Sequence, residues 1–243
     1  MNRGIQAAAN GMQANQLLLD VLANNLANLD TVAFKRDGVL FAEMLEREMF
    51  IPDSFGEHAI GRLGSSVNVL GTYTSQSVGP AVITGNPLDV MLEKSNQFFA
   101  IETPDGIRYT RDGEFRPNNE GYLATRDGYP VLDASGRAIL LPQGAEKIEI
   151  AKNGAIIVDG AEIATLDVRE GNLTKVGKNL YVGEPFVTEN PIVSSGVLEG
   201  SNVSAIECMV EMISLLRNFE AANRAVRTQD ELTERLLQSL ATR

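Results

Sequence analysis

Tryptophan is absent from this chain, and cysteine and histidine occur once each, as Cys208 and His58. A single cysteine excludes an intrachain disulfide, and a single histidine leaves any metal site to carboxylates alone, so neither a disulfide framework nor a zinc centre is expected. Bases are scarce beside acids, 21 against 32, for a net charge of −11. The bases never cluster beyond pairs such as Lys35-Arg36. A phosphate backbone requires clustered Lys and Arg, so nucleic acid is not expected as a partner, and anionic membrane surfaces are disfavoured on the same ground. No apolar run approaches the length of a membrane span, so no membrane insertion is expected. Gln6, Asn10, Gln13, Asn15 and Asp20 interrupt any signal-peptide core. The chain is therefore expected either to stay in the cytoplasm or to leave by a route without a cleaved apolar signal. No glycine-rich phosphate loop is present either.

What the chain does have is helical periodicity at both ends. The last forty residues contain no Pro and no Gly and are rich in Leu, Ala, Glu, Arg, Met and Gln, which favour helix. Ser204 followed by Glu207 reads as a capping box. Apolar side chains return in steps of three and four, with Val203, Ile206, Val210 and Ile213 on one stripe. Met209, Met212, Leu216, Phe219, Val226, Leu237 and Leu240 lie on its neighbour. That spacing is a coiled-coil seam on a helix of about 55 Å, and Asn223, Asp230 and Thr233 on it would set register. Residues 3–29 repeat the pattern with Ile5, Ala8, Met12, Gln16, Leu19, Leu22, Leu26 and Leu29. Asn24, Asn25, Asn28 and Asp30 then offer the backbone competing hydrogen bonds and stop the helix. Phe34 follows as an apolar anchor, and the run Leu40 to Phe50 suggests a further helical piece.

Between the ends the period changes. Residues 51–80 are punctuated by Gly, Ser and Pro and read as a linker with one extended segment, Val67 to Thr74. From 81 to 191 turn signals recur every seven to twelve residues, among them Asp105-Gly106, Asp112-Gly113, Asp127-Gly128 and Asp159-Gly160. Short alternating runs separate them, which predicts an all-β module of hairpins. The expected fold class is α+β: long N- and C-terminal helices pairing as a coiled coil, with a central all-β module. The expected division is an N-terminal helical segment over 1–50, a linker over 51–80, the β module over 81–191 and a C-terminal helical segment over 192–243.

An active site would have to come from the acids of the β module. Asp105, Asp112, Asp127 and Asp159 each precede a Gly, where Asp serves the turn, and turn chemistry alone explains the spacing. Arg108, Arg111 and Arg126 are read as their cross-strand partners. Cys208, in the first turn of the last helix, has no nearby His in sequence and reads as a small buried hydrophobe. No catalytic residue, cofactor, metal or small-molecule substrate is expected. Two rivals stay open: a carbohydrate-acting enzyme on the β scaffold, and an adaptor whose coiled coil merely dimerises the module.

Several stretches together carry a resemblance. They are Ala23-Asn24-Asn25-Leu26-Ala27-Asn28 with Thr31 and Phe34-Lys35, Thr84 to Val90, Tyr109 to Phe115, Gly121-Tyr122-Leu123, Asp127 to Leu132, Gly196 to Val203, and Arg217-Asn218-Phe219-Glu220. In this order they resemble the rod and hook family of bacterial flagellar axial proteins. The chain departs from the family at Val32-Ala33, where members usually place a small residue and Gly before the Phe. Its length resembles a rod subunit, and the Ser195–Val203 junction resembles the proximal members of the rod more than the distal ones. The resemblance implies a non-catalytic subunit of the flagellar basal body that leaves the cell through the flagellar export apparatus and assembles with other rod subunits and copies of itself. It makes Ile5, Met12, Leu19, Leu22, Leu26, Phe34, Val203, Ile206, Met209, Ile213, Leu216, Phe219, Val226, Leu237 and Leu240 the expected assembly interface. Asn24, Asn25, Asn28, Thr31, Lys35, Ser201 and Asn202 are the expected motif residues.

Overall fold

The computed structural model describes residues 3–53, 56–142, 144, 147–188 and 191–241. The side chains of Ile5, His58, Leu237 and Leu240 lie outside the described residues. The chain divides into two compact units. One comprises Met1–Leu26, Asp37–Tyr73 and Ser204–Arg243; the other comprises Ala27–Arg36 and Thr74–Val203.

The first unit holds the helical ends. Helix α1 spans Arg3–Ala27; Ala14, Leu22 and Asn25 are its buried positions, and half-buried residues flank them, among them Met12, Leu18, Leu19 and Leu26. Strands β1 (Asp37–Asp53) and β2 (Gly56–Thr74) form a two-stranded sheet. The helical piece suggested over 40–50 is therefore strand. Leu, Met and Glu are good helix formers, but propensity differs between residues by less than about 1 kcal/mol each and yields to pairing with a neighbouring strand. The extended segment expected from Val67 begins eleven residues earlier, at Gly56. Asn25 closes the loop between α1 and β1: its Nδ2 donates to the carbonyl of Asp37 at 2.8 Å, and its Oδ1 accepts from the Asp37 amide at 2.9 Å. A buried amide with both ends bonded to one residue imitates a strand partner, which satisfies backbone groups beyond the helix end.

Helix α2 spans Ala205–Ala241. The Glu207 amide donates to Ser204 Oγ at 3.4 Å, placing Ser204 as the N-cap. Its covered positions include Cys208, Met212, Leu215, Phe219, Ala222, Val226 and Gln229, which follow one another at alternating steps of four and three, with Asn223 half-buried beside them. Cys208 is fully buried, as a small hydrophobe should be.

The second unit is the β module. After β3 (Ala81–Ile83) and β4 (Val90–Leu92), strands β5 (Gln97–Thr103) and β6 (Gly106–Thr110) form its central hairpin. Then come β7 (Phe115–Pro117), β8 (Leu123–Thr125), β9 (Ile148–Ile150), β10 (Ala155–Val158), β11 (Ala161–Thr165) and β12 (Val168–Glu170). The remainder are β13 (Thr174–Gly177), β14 (Leu180–Val182), β15 (Phe186–Val187), β16 (Val193–Ser195) and β17 (Val197–Glu199). The main sheet runs β13-β14-β6-β5-β12-β15, with a smaller β11-β10-β9 sheet and three two-stranded ladders. In β5 the two-residue period sends Phe99 and Ile101 into a large apolar core with Val90, Phe115, Leu123 and Val131. Phe98 points the other way and packs on Tyr181, ring centroids 4.8 Å apart. The turn reading of the aspartates is supported at Asp159-Gly160, where φ values of +50° and +86° join β10 to β11 in the primed turn that suits strand twist.

Candidate functional site

No group of His, Cys, Asp and Glu among the described residues could hold a metal ion. Asp112 Oδ1 accepts the Glu114 amide and Asp133 Oδ1 accepts the amides of Ser135 and Arg137. These carboxylates shape turns. The polar groups that converge do so elsewhere in the β module, around the stretch that follows α1.

That stretch is built by two successive turns, in which Thr31 N donates to Asn28 O and Phe34 N to Thr31 O, both at 3.2 Å. Thr31 Oγ1 also donates to Asn28 Oδ1. Ala33 takes φ +54°, a left-handed conformation that costs an L-residue with a Cβ about 1–2 kcal/mol. This is the position at which the chain lacks the glycine expected before the Phe. Such strain persists only where the surroundings hold it. Here Ala33 N donates to Glu199 O at 2.7 Å, and Ala33 is buried.

Every residue from Val32 to Arg36 is bonded to the rest of this unit. Asn179 Nδ2 donates to Val32 O, and Lys175 Nζ donates to Lys35 O while lying 3.9 Å from the centre of the Phe34 ring. Asn202 is bonded to two neighbouring segments. Its Oδ1 accepts from Arg36 N at 2.7 Å, its amide donates to Phe34 O, and its Nδ2 donates to the carbonyls of Ser75 and Ser77 and to Ser77 Oγ. Ser75 N in turn donates to Arg36 O. Gly79 and Gly200 let the backbones close in, since a Cβ on Gly79 would stand 2.0 Å from Gly200 O.

At the centre sit three charged side chains, Lys35, Arg111 and Glu199, with 0%, 1% and 1% of their surface exposed. Glu199 Oε1 accepts from Lys35 Nζ and from the Gly79 amide, and Glu199 Oε2 accepts from Arg111 Nε at 2.9 Å. Lys35 Nζ also donates to Ser77 O. The Arg111 guanidinium spends its remaining N–H groups on the carbonyls of Leu92, Lys94, Ser95 and Gln97, and it lies 5.9 Å from the Phe98 ring centre. Buried charge of this kind is tolerated because each charged group has a counter-ion or hydrogen-bond partner. One carboxylate nevertheless serves two cations. Burial pulls the Lys35 ammonium below its ordinary pKa, the Arg111 charge adds to this, and Glu199 opposes it.

Among the residues expected from sequence, Lys35, Ser201 and Asn202 are buried or half-buried in this cluster, and Phe34 is buried beside it. Asn25 serves the loop to β1, Asn28 and Thr31 shape the turn, and Asn24 is exposed. Arg111 corrects an expectation, because it pairs with Glu199 rather than with a turn aspartate. Sequence spacing alone does not single out Glu199. A charged residue inside the apolar strand Val197-Leu198-Glu199, with no turn to serve, was the available signal.

Of the expected interface, Leu22 and Val203 are buried, and Met12, Leu19, Leu26, Phe219 and Val226 are half-buried. Ile206, Met209, Ile213 and Leu216 are exposed, by 77%, 51%, 53% and 48%. With Val210 they form an apolar stripe one residue away from the covered one.

Three family profiles match the chain. "Flagella basal body rod protein" covers residues 5–35, "Flagellar hook protein FlgE/F/G D1 domain" covers 94–158, and "Flagellar basal body rod FlgEFG protein C-terminal" covers 194–239. Lys35, Arg111 and Glu199 thus fall one in each matched region. Among relatives, the flagellar basal-body rod protein FlgG of Bacillus subtilis (strain 168) is 32% identical over 98% of both chains. FlgF of Rhizobium meliloti (strain 1021) is 32% identical over 99% of this chain and 98% of its own. FlgF of Mesorhizobium japonicum is 28% identical over the whole of both. With identity of this level across the full length, the chain belongs to the flagellar basal-body rod proteins, a structural family and not a family of enzymes.

Proposed function

We propose that this subunit builds the rod through its terminal helices, with α1 and α2 pairing as a coiled coil and the pairs packing beside those of other rod subunits and of its own copies. The tube so formed transmits torque and encloses the export channel. The terminal segments 1–50 and 192–243 carry assembly, 51–80 connects them to the module, and 81–191 is the module they carry. The compact length and the Ser195–Val203 junction favour the proximal part of the rod, with the distal part second. The subunit reaches the rod through the flagellar export apparatus without loss of a signal peptide.

One observation carries this reading: the exposed stripe Ile206, Met209, Val210, Ile213 and Leu216 along the first three turns of α2. Apolar side chains repeating on one helix face are stabilised only when something covers them. The same stripe meeting successive neighbours is a heterologous contact that does not close, which generates a filament. Leu216→Asp tests it. A charge placed on a desolvated seam costs several kcal/mol, on the order of the interface itself. The variant should keep a folded β module and be missing from purified basal bodies, with motility lost. Normal incorporation and motility would remove the stripe from the interface.

A further inference from the structure

The cluster around Lys35 joins three stretches that are far apart in sequence, 32–36, 75–80 and 199–202. Each lies beside a point where the chain passes from one compact unit to the other. Their mutual bonds are polar: Ala33 N to Glu199 O, Arg36 N to Asn202 Oδ1, Ser75 N to Arg36 O, Gly79 N to Glu199 Oε1, Gly200 N to Pro80 O and Asn202 N to Phe34 O. None of the residues in these stretches belongs to the large apolar core or to the Phe98–Tyr181 cluster. Phe34, the one large apolar side chain among 32–36, lies beneath Lys175. Apart from the end of the β17–β3 ladder, where Glu199 pairs with Ala81, the stretches are held to one another by a set of bonds separate from the burial that holds the main sheet. They also contain the strained Ala33, and their Lys35 and Glu199 share a buried site with Arg111, where two cations face one carboxylate. Groups of residues that share bonds with one another more than with the core open together and below the global unfolding free energy.

We propose that these three stretches form a clasp that opens and closes as one cooperative unit while the six-stranded sheet of the β module stays intact, with Asn202 and Glu199 as its latch residues. Glu199 joins all three stretches at one side chain, through Lys35, Gly79 and its own backbone. Asn202 joins all three through Arg36, Ser75 and Ser77. Loss of either latch removes bonds from every stretch at once, so partial opening leaves buried polar groups unmet and is unfavourable. Arg111 stays with the module on opening, because four of its acceptors are carbonyls of 92–97.

Native-state hydrogen exchange on the full chain tests this at rising subdenaturing urea. The amides of Ala33, Arg36, Ser75, Gly79, Gly200 and Asn202 should converge on one opening isotherm, distinct from and below that of Ala100, Glu102 and Leu132 in and beside β5. Asn202→Ala should speed exchange of all six by a common factor of tenfold or more and leave the β5 set unchanged. Six independent isotherms in the parent protein would overturn the proposal without any variant. Acceleration confined to Arg36 in Asn202→Ala, or shared equally by the β5 amides, would overturn it as well.

Discussion

Replacing Glu199 by Gln removes the carboxylate that faces both Lys35 and Arg111 and leaves the two cations together in a site almost closed to water. Removing one partner of a buried ion pair costs about 3–5 kcal/mol, because an uncompensated charge stays behind. Lys35→Met is the instructive comparison. It leaves Arg111 and Glu199 as a balanced pair and forfeits the ammonium bonds to Ser77 O and Glu199, a loss of about 1–3 kcal/mol. In the double variant Glu199→Gln with Lys35→Met, only one cation is left, and four backbone carbonyls still hold it. Its destabilisation should therefore fall short of the sum of the singles by about 2 kcal/mol, within the range seen for directly coupled neighbours. Urea unfolding of the three variants and the parent, read from the midpoints at constant slope, measures all four corners. Additive effects, or a Glu199→Gln cost under about 1 kcal/mol, would show that the carboxylate is not the counter-ion on which both cations depend.

At Ala33, the left-handed φ of +54° separates two substitutions. Glycine relieves strain of about 1–2 kcal/mol but loses a buried methyl and gains unfolded-chain freedom, so Ala33→Gly should change stability by less than about 1 kcal/mol. Ala33→Val adds a β-branch to the same strained backbone and should cost more than about 2 kcal/mol by the same unfolding assay. Burial pushes the Asp112 carboxyl up from 3.8 to about 6, against the opposing hydrogen bond from the Glu114 amide. Between those two values the folded chain binds more protons at Asp112 than the unfolded chain. This contribution to stability is therefore full below pH 3.8 and is lost as pH rises through about 6. Asp112→Asn should flatten that part of the stability-against-pH curve, and an unchanged slope would place the proton elsewhere.

The helical ends and the hairpin module were legible because their signals are local. Steps of three and four mark α1 and α2, and Asp-Gly or Asn-Gly pairs punctuate the strands. The β1–β2 hairpin was not legible. Leu40 to Phe50 is rich in helix formers, and Gly61, Gly64, Ser65 and Ser66 look like a linker, yet both stretches are strand. Strand pairing is decided by the partner, which a window of one chain segment does not contain. The cluster shows the same divide. Lys35 and Asn202 stood out as parts of motifs, but Glu199 lies 164 residues from Lys35 and 88 from Arg111. No periodicity links residues so far apart, and by sequence distance alone the acids nearest Arg111 are those of the turns.

Helix α2 carries two apolar lines, Cys208-Met212-Leu215-Phe219 and Ile206-Met209-Ile213-Leu216, displaced by a single residue. One residue is about 100° of rotation about the axis. Bodies seated on the two lines would approach α2 from nearly perpendicular directions, whereas a simple two-stranded rope needs only one line. Such a helix is a corner post: it can bind within its own molecule on one side and leave the other for a neighbour, so a wall can grow sideways without unmaking the fold.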